Sequence, residues 1–231
     1  METELPGTPI GAGRSADVYD VGGGRVLRRY RDGRDADAVQ REAEVMAHAR
    51  AHGVPVPEVF EVTGSDIVME RAMGPTMLNV LGSRPWTVRK QARLLARLHG
   101  LVHQVPALPE LRAPLGDEGL KDQVLLHLDL HPINVILTST GPVIIDWESA
   151  ARGPAMLDVA MTWVVVGFSE VPESGLGAAA VRGVQSLFTS SFVHAAGPLD
   201  QTWRARAVRQ RLADPHVLPT ERARLERLPH G

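Results

Sequence analysis

The chain has 231 residues, 44% of them apolar, and a formal net charge of −2. That length allows one domain or two small ones around a real core, and the near-balanced charge lacks the basic excess that nucleic acid recruits. Cysteine is absent, which excludes disulfides, thiolate catalysis and cysteine-bound zinc.

The first residues, Met1 to Glu4, are acidic and lack the basic-then-apolar form of a signal peptide. The most apolar later stretch, Val159 to Phe168, is too short to cross a bilayer. A cytoplasmic protein with neither a membrane nor a nucleic-acid partner is expected. The sequence does not indicate an oligomeric state.

Ile10 to Tyr19 contains Gly11-x-Gly13 followed by Ser15, with Ala16 where a third glycine often stands. Glycines there permit a tight turn whose N–H groups approach phosphate oxygens. Val18 to Val21 reads as a strand, Gly22 to Gly24 as a turn and Arg25 to Tyr30 as the returning strand. A dinucleotide-binding loop would be followed at once by a helix, and none is signalled. Alternation places Val26 and Arg28 on one face of the returning strand and Leu27 and Arg29 on the other.

Asp35 to Arg50 reads as a helix, with an aspartate N-cap at its start and Gly53 just past its end. Val39, Ala43 and Met46 form its apolar stripe, and Glu42 falls within it. An inward carboxylate needs a partner, and Arg28 is the obvious one. Val54 to Pro57 is a stiff connector; strands follow at Val59 to Thr63 and Ile67 to Glu70, and Ala72 to Pro75 breaks the pattern as a hinge. Pro85 to Val105 has the apolar spacing of a long helix, carrying His99 and His103 one turn apart. Packing is the expected role of that histidine pair. Residues 106 to 123 carry three prolines and read as a connector.

The densest signal is His127-Leu128-Asp129-Leu130-His131-Pro132-Ile133-Asn134, followed by Val135 to Leu137, a Gly-Pro turn, Val143 to Ile145 and Asp146. Two β-rich runs around that turn predict a hairpin, with Asn134 entering and Asp146 leaving at its open end. A carboxylate to take a hydroxyl proton, with an amide and a carboxylate as hard oxygen ligands, suits phosphoryl transfer with Mg2+. Asp158 then opens an apolar helix to Phe168, as its N-cap or as a buried support. Further helices are expected at roughly 175 to 195, 200 to 213 and 220 to 228. The same loop residues also suit turn caps. A metal hydrolase stays open as well, because His127, Asp129 and His131 would share one face of a strand.

The spacing Asp129-x4-Asn134, the run Ile145-Asp146-Trp147-Glu148 and Asp158-Val159-Ala160 together resemble the aminoglycoside phosphotransferase and choline kinase family. The resemblance implies an α+β, bilobal protein-kinase-like fold. Residues 1–72 would form a small antiparallel β lobe with one helix that binds nucleotide, and 73–231 a mainly helical catalytic and acceptor-binding lobe. It implies Asp129 as catalytic base, Asn134 and Asp146 as Mg2+ ligands, and nucleotide contacts from Gly11, Gly13, Ser15, Arg28, Glu42, Glu70 and Ala72. His127 and Asp158 would support the loop.

Arg28 would stand where the family has lysine, and backbone groups of Glu70 to Ala72 would meet the purine of ATP or GTP. The partner is a small-molecule hydroxyl acceptor such as an aminoglycoside, sugar or amino alcohol, since twelve residues from Asp146 to Asp158 leave no room for a peptide platform. Beyond residue 150 stand nine arginines against seven acidic side chains, which weakens a polycationic acceptor. Ala16 and Arg28 depart from the family pattern and leave an inactive nucleotide-binding protein of the same fold as the alternative.

Overall fold

A computed structural model describes residues 8–13, 15–31, 35–114, 123–169, 176–215 and 217–228, and the side chains of all these except 12 and 176. The expectations for Met1 to Glu4, for Arg14 in the glycine turn and for residues 115–122 of the connector lie outside the described residues. The chain has a bilobal α+β fold, with two compact units: 1–74 with 136–148, and 75–135 with 149–231.

The first unit is built on a five-stranded antiparallel sheet. Its strands are β1 (Gly11–Ala12), β2 (Ala16–Gly22), β3 (Arg25–Tyr30), β4 (Val59–Thr63) and β5 (Asp66–Glu70), in the order β1-β2-β3-β5-β4. Gly22, Gly23 and Gly24 all take positive φ between β2 and β3, a turn that side-chain-bearing residues adopt with strain. The register pairs Ala16 with Tyr30, and Ala16 is buried in the sheet. Its departure from the glycine pattern is thus a packing choice. Arg29 leaves the opposite face from Arg28 and grips Asp66 through two donors, at 2.8 and 2.7 Å.

Helix α1 (Ala36–Ala51) starts where Asp35 accepts a hydrogen bond from the Asp37 N–H and ends before Gly53 at φ 85°. Val39, Ala43 and Met46 are buried along it, and so is Glu42, as the stripe predicts. Strands β7 (Val135–Leu137) and β8 (Pro142–Ile144) form the expected hairpin. The Ile144 N–H ties it to the Pro55 carbonyl of the connector at 2.7 Å.

Gly74 lies against this hairpin so closely that a Cβ would sit 2.2 Å from the Leu137 carbonyl oxygen. Backbone cannot yield as a side-chain tip does. Gly74→Ala is therefore expected to lower stability by about 1–3 kcal/mol. Gly100→Ala, in a helix where an added methyl meets nothing within 4 Å, should raise it by about 1 kcal/mol. Urea unfolding of the two variants beside the parent checks both; equal shifts would show that the hinge is not tight.

The second unit is mainly helical. Helix α2 (Met77–Ser83), capped by the Thr76 hydroxyl, was not signalled in the sequence because seven residues containing Asn79 and Gly82 carry little periodicity. The helix expected from Pro85 to Val105 is shorter: Pro85–Thr87 is one 3₁₀ turn, and α3 runs Val88–Val102. Helices α4 (Ala155–Phe168), α5 (Leu176–Ala196), α6 (Gln201–Leu212) and α7 (Pro219–Leu225) complete it. Strands β6 (Val124–Leu126) and β9 (Ala151–Gly153) pair antiparallel.

Leu126, Leu128, Leu157, Ala160, Val164, Val208 and Leu225 share one core cluster, so the stretch 127–134 begins inside the packed interior. Asp158 sits in the first turn of α4, and the N-cap is Pro154. This corrects the N-cap reading of Asp158. No helix among the described residues is long and apolar enough to cross a membrane.

Candidate active site

In the first unit the glycine turn is held by its own backbone. The Gly13 N–H donates to the Ala16 carbonyl at 2.8 Å, and Gly11 pairs with Val18. Ser15 donates its hydroxyl to Glu148 at 2.6 Å. Glu148 also lies 3.7 Å from Arg28.

Arg28 is the hub of this unit. Its guanidinium donates to Glu42 at 2.9 Å and to Asp146 at 2.6 Å, and lies 4.9 Å from the Tyr30 ring centroid. Tyr30 in turn donates its hydroxyl to Glu42. Burial pushes the Glu42 carboxyl up, opposed by the Arg28 charge. The inferred Arg28–Glu42 pair is present, while its extension to Asp146 and Tyr30 had no sequence signal. Asp146 takes φ 67°, a left-handed conformation that aspartate tolerates better than most side chains.

The Glu70 N–H is used by the Glu58 carbonyl and the Arg71 N–H by the Gly24 carbonyl. Ala72 follows, half-buried, on the segment leading to Gly74.

In the second unit residues 127–134 form a loop, not a strand, so the alternation proposed for His127, Asp129 and His131 has no shared face. Asn134 donates through Nδ2 to the Asp129 carbonyl at 2.9 Å and to its carboxylate at 3.1 Å. His131 accepts the Ile133 N–H on Nδ1, which leaves Nε2 carrying the proton toward the Asp129 carboxylate 3.3 Å away. The Asp129 N–H donates to Nδ1 of the fully buried His127. Burial pushes the Asp129 carboxyl up, but His131, with the fields of His127 and Arg211, holds it below the usual carboxylate range. Asp129 is therefore ionised, about one-third of its side chain exposed. Asn134 spends its N–H donors on Asp129, which leaves its amide oxygen as an acceptor.

Asp158 fixes the loop from beneath. Its carboxylate accepts the Leu128 N–H at 2.7 Å, the His127 N–H at 3.1 Å and His103 Nε2 at 3.0 Å. Leu128 is held at φ 62°, a left-handed conformation that costs a non-glycine residue energy and persists only where its surroundings fix it. Burial would raise the Asp158 carboxyl, yet the His103 hydrogen bond and the nearby imidazoles hold it well below the usual range. A neighbouring chain of contacts runs from Leu95 through His99 and Thr162 to the Leu130 carbonyl, with 2.9 Å on either side of His99 and 2.7 Å from the Thr162 hydroxyl. His103, Thr162 and Tyr30 were missed as site residues, and His131 was weighed only as a metal ligand of the hydrolase reading. The one-turn spacing of His99 and His103 was the available signal, and it reads equally as packing.

Burial holds the His99 imidazole down to about 4. The unfolded chain, with its histidine near 6.5, binds more protons between these values, so stability falls as pH drops through that window. The expected loss is about 3 kcal/mol over the window. The Asp158 contribution is present above its unfolded value and is lost only further down, below about pH 4. Urea midpoints measured from about pH 7 to about pH 4.5 should fall for the parent and fall less for His99→Gln; parallel curves would remove His99 as the cause.

Among the described residues no group of three or more His, Cys, Asp or Glu is placed to hold a metal ion. Among curated proteins the chain is 35% identical over 106 residues to a probable bifunctional tRNA threonylcarbamoyladenosine biosynthesis protein of Methanoculleus marisnigri, covering 40% of this chain and 20% of that protein. It is 49% identical over 39 residues to a thiamine kinase of Salmonella paratyphi B, covering 17% of this chain and 14% of the kinase. The matched segments thus span a fifth or less of these relatives.

Among solved structures, aminoglycoside phosphotransferase APH(4)-Ia, as a thermostable mutant with AMP-PNP and hygromycin B, superposes with a TM-score of 0.60 at 17% identity, covering 89% of this chain and 84% of that one. An amicoumacin kinase gives 0.58 at 16% identity, covering 95% and 85%. A choline/ethanolamine kinase family protein of Mesorhizobium loti gives 0.55 at 15%, covering 89% and 74%. These likenesses establish the fold. The model of the phosphotransferase enzyme family matches residues 6–118 and 82–187, taking in the glycine turn, Arg28, the loop of Asp129 and Asn134, Asp146 and Asp158, and the chain belongs to that family.

Proposed function

We propose that this chain transfers the γ-phosphoryl group of ATP or GTP to a hydroxyl of a small molecule. The observation that carries the reading is the state of Asp129: an ionised, partly exposed carboxylate locked by Asn134 and His131, as a base for an alcohol must be. Asp129 orients the acceptor hydroxyl and takes its proton. Asn134 and Asp146 offer the hard oxygen ligands that suit Mg2+, with which they would hold the ion. When bound, Mg2+ supplies charge neutralisation at the phosphates. Arg28, aligned by Glu42 and Tyr30, steadies phosphate oxygens, and the turn at Gly11, Gly13 and Ser15 gives them backbone donors. Glu70 to Ala72 contact the purine through backbone groups. His127 and Asp158 keep the loop in place.

In this reading residues 1–72 form the nucleotide-binding lobe and 73–231 the catalytic and acceptor lobe, working in the cytoplasm. Most of the acceleration comes from positioning and charge. The two departures from the family pattern do not favour an inactive binder: Ala16 fills the sheet, and Arg28 keeps both the charge and the Glu42 partner. The test is incubation of the chain with Mg2+ and ATP or GTP against a panel of sugars, amino alcohols and aminoglycosides, reading a mass gain of one phosphoryl group on the acceptor. Mg2+-dependent stabilisation by nucleotide without transfer to any member of the panel would favour the binder.

A further inference from the structure

A cavity of about 860 Å³ lies within the helical unit, walled by α4, α5, α6 and α7. It is in the size range of small-molecule sites. None of residues 127–134 lines it. Its wall on α4 is formed by Trp163, Gly167 and Phe168, which lie from about 8 to about 15 Å along that helix from Asp158. The cavity is therefore distinct from the loop that carries Asp129.

Its charge is one-sided. Arg182, Arg204, Arg224 and His194 line it, and no carboxylate does so among the described residues. On α6 and α7, by contrast, Arg211 grips Glu221 at 2.7 and 3.0 Å and Asp214 at 2.9 Å, and Arg222 donates to the Leu212 carbonyl. Among the described residues the Arg204 guanidinium meets an aromatic face, 5.3 Å from the Trp163 ring centroid. Its Nε is buried without a hydrogen-bond partner among the described residues. A buried donor of a charged group left unsatisfied is costly and rare. Trp163 in turn meets Phe168 edge to face at 5.3 Å, which gives the cavity a flat apolar wall beside its cations.

We propose that this cavity binds a small organic anion, a phosphate or carboxylate group carried on an aromatic body, independently of the phosphoryl-transfer reading. The oxyanion sits against Arg204 and Arg224, whose forked donors match it, and the ring lies against Trp163 and Phe168.

The test is calorimetric titration of the full chain, with Mg2+ and a non-hydrolysable ATP analogue present to occupy any phosphate site at the glycine turn. The probes are phenyl phosphate, benzoate, inorganic phosphate and benzyltrimethylammonium. One saturable site for phenyl phosphate or benzoate is expected, weakened about tenfold or more by Arg204→Gln and by Arg224→Gln. Arg97→Gln, exposed on α3, should leave it unchanged. Arg224 is exposed, so its variant keeps the test valid even if Arg204→Gln unfolds. Absence of saturable binding by both aromatic anions, or binding indifferent to both arginine variants, would overturn the site. Inorganic phosphate or benzyltrimethylammonium binding as tightly as phenyl phosphate would overturn the ligand class.

Discussion

Asp129→Ala is expected to lower kcat by about 10²- to 10⁴-fold, the contribution of a positioned general base, with nucleotide affinity nearly unchanged. The side chain is partly exposed, and its contacts are local: Asn134 bonds the Asp129 backbone carbonyl as well as the carboxylate. Truncation therefore removes the proton acceptor and leaves the loop standing. Asp129→Asn separates the two roles. It keeps the shape and an oxygen for Asn134, but an amide cannot take the hydroxyl proton, so its rate should fall as far as that of alanine. Steady-state kinetics on whichever acceptor is turned over, with nucleotide-dependent melting as the binding control, reads both. Turnover by Asp129→Ala at the parental rate would falsify the assignment of the base.

The second large effect is on stability. Asp158→Ala should cost about 3–5 kcal/mol, the range seen when one partner of a buried charged network is removed. Its carboxylate is fully buried and accepts three donors, two of them the backbone N–H groups of His127 and Leu128. Without it those groups are stranded in the interior, and Leu128 has nothing to hold its left-handed backbone. Asp158→Asn retains one acceptor and turns an N–H2 group toward donors, so it should be almost as damaging. His103→Ala removes one hydrogen bond to the carboxylate and should cost about 1–3 kcal/mol. Urea unfolding gives the stabilities. Activity of the folded fraction should drop for Asp158→Asn as the loop loosens, while an Asp158 variant as stable and active as the parent would show that the loop does not depend on it. The contrast with Asp129 is diagnostic, because the proposed reading gives Asp129 the chemistry at little structural cost and Asp158 the support of the loop.

Much of this was legible in the sequence because the signals are local. The glycine turns, the Asp35 cap and the hairpin around Gly141 each follow from backbone preferences of a few neighbouring residues. The burial of Glu42 followed from helical spacing, and its pairing with Arg28 followed from the cost of an unpaired inward carboxylate. The order Asp129, Asn134, Asp146 pointed to the chemistry through ligand and base types rather than through shape.

Other features had no local trace. Helix α2 is too short to advertise itself, and the long helix begins as a 3₁₀ turn. Glu148 reads as a solvated side chain until the sheet brings Ser15 to it across 133 residues. The sequence by itself determined most of the elements and pointed to residue types suited to phosphoryl transfer, since propensity, periodicity and the demands of that chemistry act over short spans. Only the tertiary structure decided that Arg28 also binds Asp146, that His103 serves Asp158, and that Arg204 and Arg224 come to line one cavity. Those outcomes depend on which distant charges share a low-dielectric interior, and sequence spacing does not encode that distance.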